Sequence, residues 1–404
     1  MTKLLDLCEL IIDCEHKTAP KSSDGYPSIR TPNVGRGRLI LDGVNRVDED
    51  TYIKWTRRAT PKENDLIIAR EAPVGNVALV RKGQKVCLGQ RTVLVRPDPS
   101  KVDPEFLCYF LLGDYAQNSF LSVATGATVP HLNMSDIRGL PIPALPDRKK
   151  QRWIATTLAA YDDLIENNAR RIEILEEMAR LLYEEWFVQF RFPGHEGVGF
   201  KESELGLIPK GWMVSCLGDI ADEVRDAVHP TNVSPDTPYI GLEHLPRKSI
   251  TLREWGSADS VSSGKLSFRR GDVLFGKIRP YFHKVVIAPF SGICSSDTIL
   301  IRPKEDGFLG VVLCCASSDK FVDYATQTSN GTKMPRADWK VLKNYPVLIP
   351  SGGLLSDFNG FALDIANQAR NLMLKNANLR AQRDLLLPKL ISGEIDVSDI
   401  PMPT

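Results

Sequence analysis

The segment Thr92–Pro97 reads TVLVRP, and Thr298–Pro303 reads TILIRP, 206 positions further along the chain. A β-branched run stopped by Arg-Pro is an ordinary end to a buried strand, so one copy alone says little. The flanks repeat as well, in the same order and with a slowly drifting offset. DLIIAR from Asp65 matches DVLFGK from Asp272, GATVP from Gly126 matches GTKMP from Gly331, and LPIP from Leu140 is echoed in YPVLIP from Tyr345. Upstream, YPSIRTPNV from Tyr26 lines up with TPYIGLEHL from Thr237, and LLDL from Leu4 with LGDI from Leu217. Ordered matches of this kind mark an internal duplication, and a period of about 205 is too long for a solenoid repeat. The expectation is two copies of one globular domain of mixed α+β class, plus whatever joins them.

With 404 residues, 43% apolar and 25% charged, the chain is long enough for two or three soluble domains with substantial cores. Its start carries Asp6, Glu9 and Asp13 where a signal peptide needs an unbroken apolar stretch, so a cytoplasmic protein is expected. Eight scattered cysteines with no C-x-x-C pair fit that compartment. Cys8, Cys14 and His16 are conceivable metal ligands, but no second cluster with zinc spacing follows, and core or half-exposed thiols with no bound metal are the expectation.

The net charge of +1 argues at first against a nucleic-acid partner. Its distribution reverses that. Lys54–Arg91 holds nine basic residues against three acidic, and Arg247–Lys284 again nine against three, at similar places in the two repeats. Solvated surface charge would explain one such window; recurrence favours a phosphate-binding face.

After LPIPALP the chain has no Gly or Pro until Pro193. Asp147 behind Pro146 predicts a helix start. Ile154, Leu158, Tyr161, Ile165, Asn168, Ile172, Leu175, Ala179, Leu182 and Trp186 alternate steps of four and three, which is a coiled-coil seam with one polar interruption. Ala362, Ile365, Ala369, Leu372, Asn376, Leu379, Arg383, Leu386 and Leu390 repeat the pattern after the second copy, again with one Asn. The bland alternative is a helix packed on its own domain. Pairing of the two helices, with Asn168 and Asn376 setting register, is the expectation, and connectivity then requires them to run antiparallel. Two similar globes held apart by an antiparallel helix pair, with approximate two-fold symmetry, could read two sites on one duplex.

Several phrases carry a resemblance. GATVPHLNMSDIRGLPIPALPDRKKQRWIATTLAAYDDLIENN with LLYEEWF, RAQRDLLLPKLISGEI, and PKGWMVSCLGDIA from Pro209 resemble the central, C-terminal and second-domain phrases of type I restriction-modification specificity subunits. One departure is SNGTKMPRADW, which lacks the His-Leu-Asn run of His131–Asn133. The resemblance implies target-recognition domains at 1–145 and 193–352, conserved helices at 146–192 and 353–394, and a tail at 395–404. It implies a non-catalytic subunit that reads a bipartite, asymmetric DNA target. Its partners would be double-stranded DNA, two modification (methyltransferase) subunits and ATP-dependent restriction subunits, with no membrane. S-adenosylmethionine, ATP and Mg2+ would belong to those partner subunits, and this subunit would hold no cofactor.

The residues agree with a lack of chemistry. No [ND]-P-P-Y, no G-x-x-x-x-G-K-[ST] and no glycine-rich cofactor loop occurs. Two rivals stay open at this level: an enzyme with its site between the duplicated domains, and a coiled-coil scaffold that binds no DNA. Because Arg, Lys, Asn and Gln read base edges best, the candidate DNA contacts in copy one are Arg30, Asn33, Arg36, Arg57, Arg58 and Arg91. In copy two they are Lys277, Arg279, Tyr281 and Lys284 in FGKIRPYFHK, with Lys333 and Arg336 in the later loop.

Overall fold

A computed structural model of the chain describes residues 2–124 and 130–401, so the repeat phrase Gly126–Val129 lies outside the described residues. The chain forms two compact units, residues 1–164 with 379–404, and residues 165–378. No described helix is long and apolar enough to cross a membrane.

In the first unit, β1 (Cys8–Asp13), β2 (Tyr26–Ile29), β3 (Gly37–Arg38), β4 (Arg46–Val47), β5 (Leu66–Ala69), β6 (Val77–Leu79), β7 (Cys87–Leu88) and β8 (Thr92–Pro97) build two sheets. Their orders are β1-β8-β5-β6-β3 and β4-β2-β7. β8 is flanked on both sides, antiparallel to β1 and β5. Both its faces are covered: Val93 and Val95 enter one core with Leu66 and Ile68, while Leu94 enters a second with Ile67 and Ala69. A strand buried on both faces has no position for a polar alternation, which is why TVLV is apolar throughout.

In the second unit, β9 (Ala221–Val224), β10 (Ala227–Val228), β11 (Pro238–Ile240), β12 (Gly256–Ser257), β13 (Lys265–Phe268), β14 (Val273–Gly276), β15 (Val285–Ile287), β16 (Gly292–Cys294) and β17 (Thr298–Pro303) do the same. Their orders are β9-β17-β14-β15 and β10-β13-β16-β11-β12. The duplication holds at the level of register. Leu66↔Val95 and Ile68↔Val93 in the first unit correspond to Val273↔Ile301 and Phe275↔Ile299 in the second. The parallel pair Ile29↔Leu88 corresponds to Ile240↔Cys294.

The repeated Arg and Asp of these phrases form a structural fork. Arg96 donates through Nε and Nη2 to Asp65 at 2.8 Å each, and Arg302 to Asp272 at 2.7 Å each. Asp65 and Asp272 are buried, and each also accepts a backbone N–H, from Lys62 and from Arg269. A buried carboxylate needs this full set of partners, so the arginine of TVLVRP and TILIRP is retained for folding. The opening turns repeat likewise: Asp6 accepts the Lys3 N–H and Asp219 the Cys216 N–H, both at 2.8 Å.

Helix α1 (Glu49–Thr56) is capped by Asp48, whose side chain accepts the Thr51 N–H. Next, α2 (Pro104–Leu112) is capped by Asp103 with Pro104 in its first turn, followed by α3 (Asp114–Val123) and α4 (Met134–Gly139). Helix α5 (Arg148–Tyr183) starts where Asp147 accepts the Lys150 N–H. In the second unit, α6 (Leu309–Ala316) and α7 (Asp319–Gln327) cover the β14 face, and α8 (Leu354–Ser392) ends at Gly393 in the left-handed region.

Both long helices contribute to each unit. In the first, Ile154 and Leu158 of α5 and Leu387 and Leu390 of α8 join the core around Phe106 and Leu107. Asp162 there accepts from Arg383 at 2.5 Å and from the Tyr109 hydroxyl at 2.7 Å. In the second unit, Trp186 and Phe187 pack on Phe358, with ring centroids 5.8 and 4.7 Å apart. Asn168 donates to the Asn376 side-chain carbonyl at 2.9 Å, and Asn376 donates to the Ile165 carbonyl at 3.1 Å. Within each unit the two helices therefore run antiparallel. Every predicted seam position is buried or half-buried.

All eight cysteines are free, seven of them buried and Cys216 half-buried. Burial pushes the thiols up, Cys8 and Cys294 to about 12 and Cys87 to about 11.

Candidate nucleic-acid interface

The hairpin β14–β15 carries the loop 277–284 on a rigid strand pair, and two backbone bonds tie that loop to segment 330–337. Arg279 N–H donates to the Pro335 carbonyl at 2.7 Å, and Ala337 N–H to the Lys277 carbonyl at 2.9 Å. Lys277 N–H in turn donates to the Asp297 carbonyl at 2.9 Å. Arg279 and His283 both adopt left-handed backbone, at φ 50° and 52°. That geometry is costly for non-glycine residues and bends the loop tightly around Pro280–Phe282.

This arrangement gathers Lys277, Arg279, Tyr281, Lys284 and Arg336 on two joined loops, with Lys333 exposed on the second. Arg247, which sequence reasoning placed in the basic window but not at the site, lies with its guanidinium 4.1 Å above the Phe282 ring. Tyr281 is 51% exposed and packs edge-on against Phe282 at 4.9 Å. An exposed aromatic among cations offers a stacking surface as well as charge. The Arg279 Nε is buried and has no hydrogen-bond partner among the described residues. Lys284 is partly committed, because its ammonium donates to the Leu242 carbonyl; burial first, and then the Arg247 charge, hold its pKa below the ordinary lysine value. Arg336 is half-exposed, 3.9 Å from Asp297.

The first unit presents the same frame with different chemistry. Arg70 stands where Lys277 stands: its N–H donates to the Arg91 carbonyl and its carbonyl accepts from Leu132, both at 2.9 Å. Arg91 thus occupies the place of Asp297, and His131 that of Arg336. The SNGTKMPRADW departure is resolved here, since Ala337 makes the backbone bond of Leu132, and Asp338 begins a helical turn at Trp339 as Asn133 does at Met134. Arg70 was missed by sequence reasoning, although its match to Lys277 in DLIIAR and DVLFGK carried the signal. It is also tied to the fold, donating through Nη1 to Asp13 and through Nε to the Leu132 carbonyl, both at 2.8 Å.

The six candidates of copy one hold different partners. Arg57 and Arg58 lie against Glu15, at 3.0 and 3.8 Å, and Arg91 pairs with Glu71. Arg30 and Asn33 share a tight turn in which Asn33 accepts the Arg30 N–H at 3.1 Å and donates to the Ile40 carbonyl at 3.2 Å. Arg36 donates to the Leu112 carbonyl at the end of α2, at 3.0 Å, which is a structural contact. Beside Arg70 and Arg91, the ligand atoms of Asp13, Cys14 and His16 come within 4.8 Å of one another. Asp13 is already held by Arg70, and burial raises the Cys14 pKa, so this trio is poorly prepared for a cation.

Residues 1–177 match the family model described as the type I restriction modification DNA specificity domain. The chain is 26% identical over 376 residues to the type I restriction enzyme MjaIX specificity subunit of Methanocaldococcus jannaschii, covering 89% of this chain and 84% of that one. It is 28% identical over 336 residues to the EcoDI specificity subunit of Escherichia coli, covering 76% and 73%. The fold is similar to the crystal structure of a type I restriction-modification S subunit from M. genitalium, with a TM-score of 0.60 at 15% identity, over 96% of this chain and 95% of that one. The chain is thus similar over most of its length to type I restriction-modification specificity subunits, and its first 177 residues match their DNA specificity domain.

Proposed function

We propose that each unit reads one half of a bipartite, asymmetric duplex target. The observation that carries this reading is the shared loop frame with exchanged side chains: Arg70, Arg91 and His131 in one unit, and Lys277, Asp297 and Arg336 at the equivalent places of the other. Equal frames supply equal approach to a groove, and different donors and acceptors at the tips select different bases. Arg30, Asn33, Arg36, Arg57, Arg58 and Arg91 would contact DNA from the first unit. Lys277, Arg279, Tyr281, Lys284, Lys333 and Arg336 would do so from the second.

In this reading the domain limits follow the repeats, with 1–145 and 193–352 as readers, and α5 and α8 form the spacer that sets the distance between half-sites. Asn168 and Asn376 fix the register of that spacer. Ile174, Met178 and Leu181 are 48%, 51% and 45% exposed at positions i, i+4 and i+7 of α5. That apolar stripe fits docking of a modification subunit. S-adenosylmethionine, ATP and Mg2+ would enter with the modification and restriction subunits, leaving this chain a non-catalytic reader.

The test is to replace residues 1–145 with the same region of a relative and to sequence the methylome of cells carrying the hybrid and its modification subunit. One half of the methylated motif is expected to change and the other to persist. Loss or change of both halves together refutes two independent readers.

A further inference from the structure

The second unit contains a cavity of about 250 Å³ between the β14–β15 sheet and α8 that no part of the DNA reading uses. Its walls are Leu252, Ile287, Leu309, Leu363, Ala366 and Met373. The last three lie on one face of α8, at helical spacing. An apolar space of about 150 Å³ suffices to hold benzene, so this one accommodates a larger ring system.

The rim is cationic. Arg270 and Arg370 both line the cavity, one from the turn before β14 and one from α8. Arg270 donates to the Asn367 side-chain carbonyl at 3.1 Å, and Arg370 uses its Nε on the Pro289 carbonyl. Neither makes an ion pair with a described carboxylate. Burial, and then the neighbouring Arg270 charge, hold the Arg370 pKa below the ordinary arginine value. Two guanidinium groups in mutual repulsion above an apolar floor form a site that an anion would relieve, and an anion with a hydrophobic body would fill.

We infer that this cavity is a binding site for an aromatic or similarly hydrophobic carboxylate, with the carboxylate held between Arg270 and Arg370 and the ring against Leu363 and Met373. The ligand would bridge the turn 270–271 and residues 288–289 to α8, and so would brace the sheet that bears loop 277–284 against its helix. The site stands apart from the DNA reading and does not depend on it.

The probe is 2-naphthoate, titrated by calorimetry into the full chain, with acetate and 2-methylnaphthalene as controls for charge without ring and ring without charge. Saturable binding of 2-naphthoate is expected, with both controls at least tenfold weaker. Arg270→Gln and Arg370→Gln should each weaken 2-naphthoate at least tenfold, the size expected for a lost bond to a charged group. Arg270 is exposed, so its substitution leaves folding intact, and circular dichroism melting checks both variants. Equal binding of 2-methylnaphthalene, binding unchanged in the folded Arg270→Gln variant, or no saturable binding of 2-naphthoate would each overturn the inference.

Discussion

Leucine at Asn376 tests how the two long helices hold their alignment. Asn376 is 3% exposed; its amide donates to the Ile165 carbonyl and its side-chain oxygen accepts from Asn168. Asn376→Leu removes two hydrogen bonds worth about 1 kcal/mol each and leaves the half-buried Asn168 amide short of its acceptor, at a further cost of about 1–3 kcal/mol. Burying leucine returns about 1.5–3 kcal/mol, so the single variant should lose roughly 1–2 kcal/mol. Asn168→Leu strands the other amide and should lose a similar amount. The double variant removes both amides and places two leucines in the seam, so it should recover to near the parent, with a coupling of about 1–3 kcal/mol. Native-state hydrogen exchange suits this test, because a chain with two units need not unfold in one step. Amides at 165–172 and 373–380 should exchange roughly ten times faster in either single variant and return to parental rates in the double. Unchanged protection in the single variants, or a double variant as open as the worse single, refutes the argument.

Other expectations follow from the same geometry. Arg279→Ala should cost about 1–3 kcal/mol in specific duplex binding and relax one position of the methylated motif; an unchanged motif with parental affinity at two salt concentrations removes it from the interface. One heptad added to each long helix, near Glu173 and near Ala377, should lengthen the spacer by about 10 Å, roughly three base pairs, and lower activity without changing the half-sites. Full methylation at the original spacing would sink the spacer reading. Glu105, beside α5, has its carboxyl pushed up by burial from 4.5 to about 7, with Asp103, Asp163 and Asp162 adding and Arg38 opposing. Between those values the folded chain keeps a proton that the unfolded chain has released, so its contribution to stability falls as pH rises from about 4.5 through about 7. Glu105→Gln should therefore gain in melting temperature relative to the parent as pH goes from 5 to 8, and a difference that shrinks over that range contradicts the assignment.

The sequence by itself determined the duplication, the strand cores and the two helices, because each rests on local periodicity or on short phrases that repeat. TVLVRP and TILIRP are apolar because both faces of their strands are covered, and that burial is visible as an unbroken β-branched run. The Asn168 and Asn376 interruptions were equally visible, since a polar residue inside a strict seam has few reasons to be there. Tertiary structure alone decided what the charged residues do. Arg96 and Arg302 look like any surface arginine in sequence, yet each is locked to a buried aspartate some 30 positions earlier. Arg36, a candidate base contact in sequence, also donates to the Leu112 carbonyl at the end of α2, while Arg70 and Arg247, absent from that candidate set, stand beside the loops. An arginine side chain can reach a backbone carbonyl, a carboxylate, an aromatic face or solvent with similar ease, and only the folded neighbourhood selects among them.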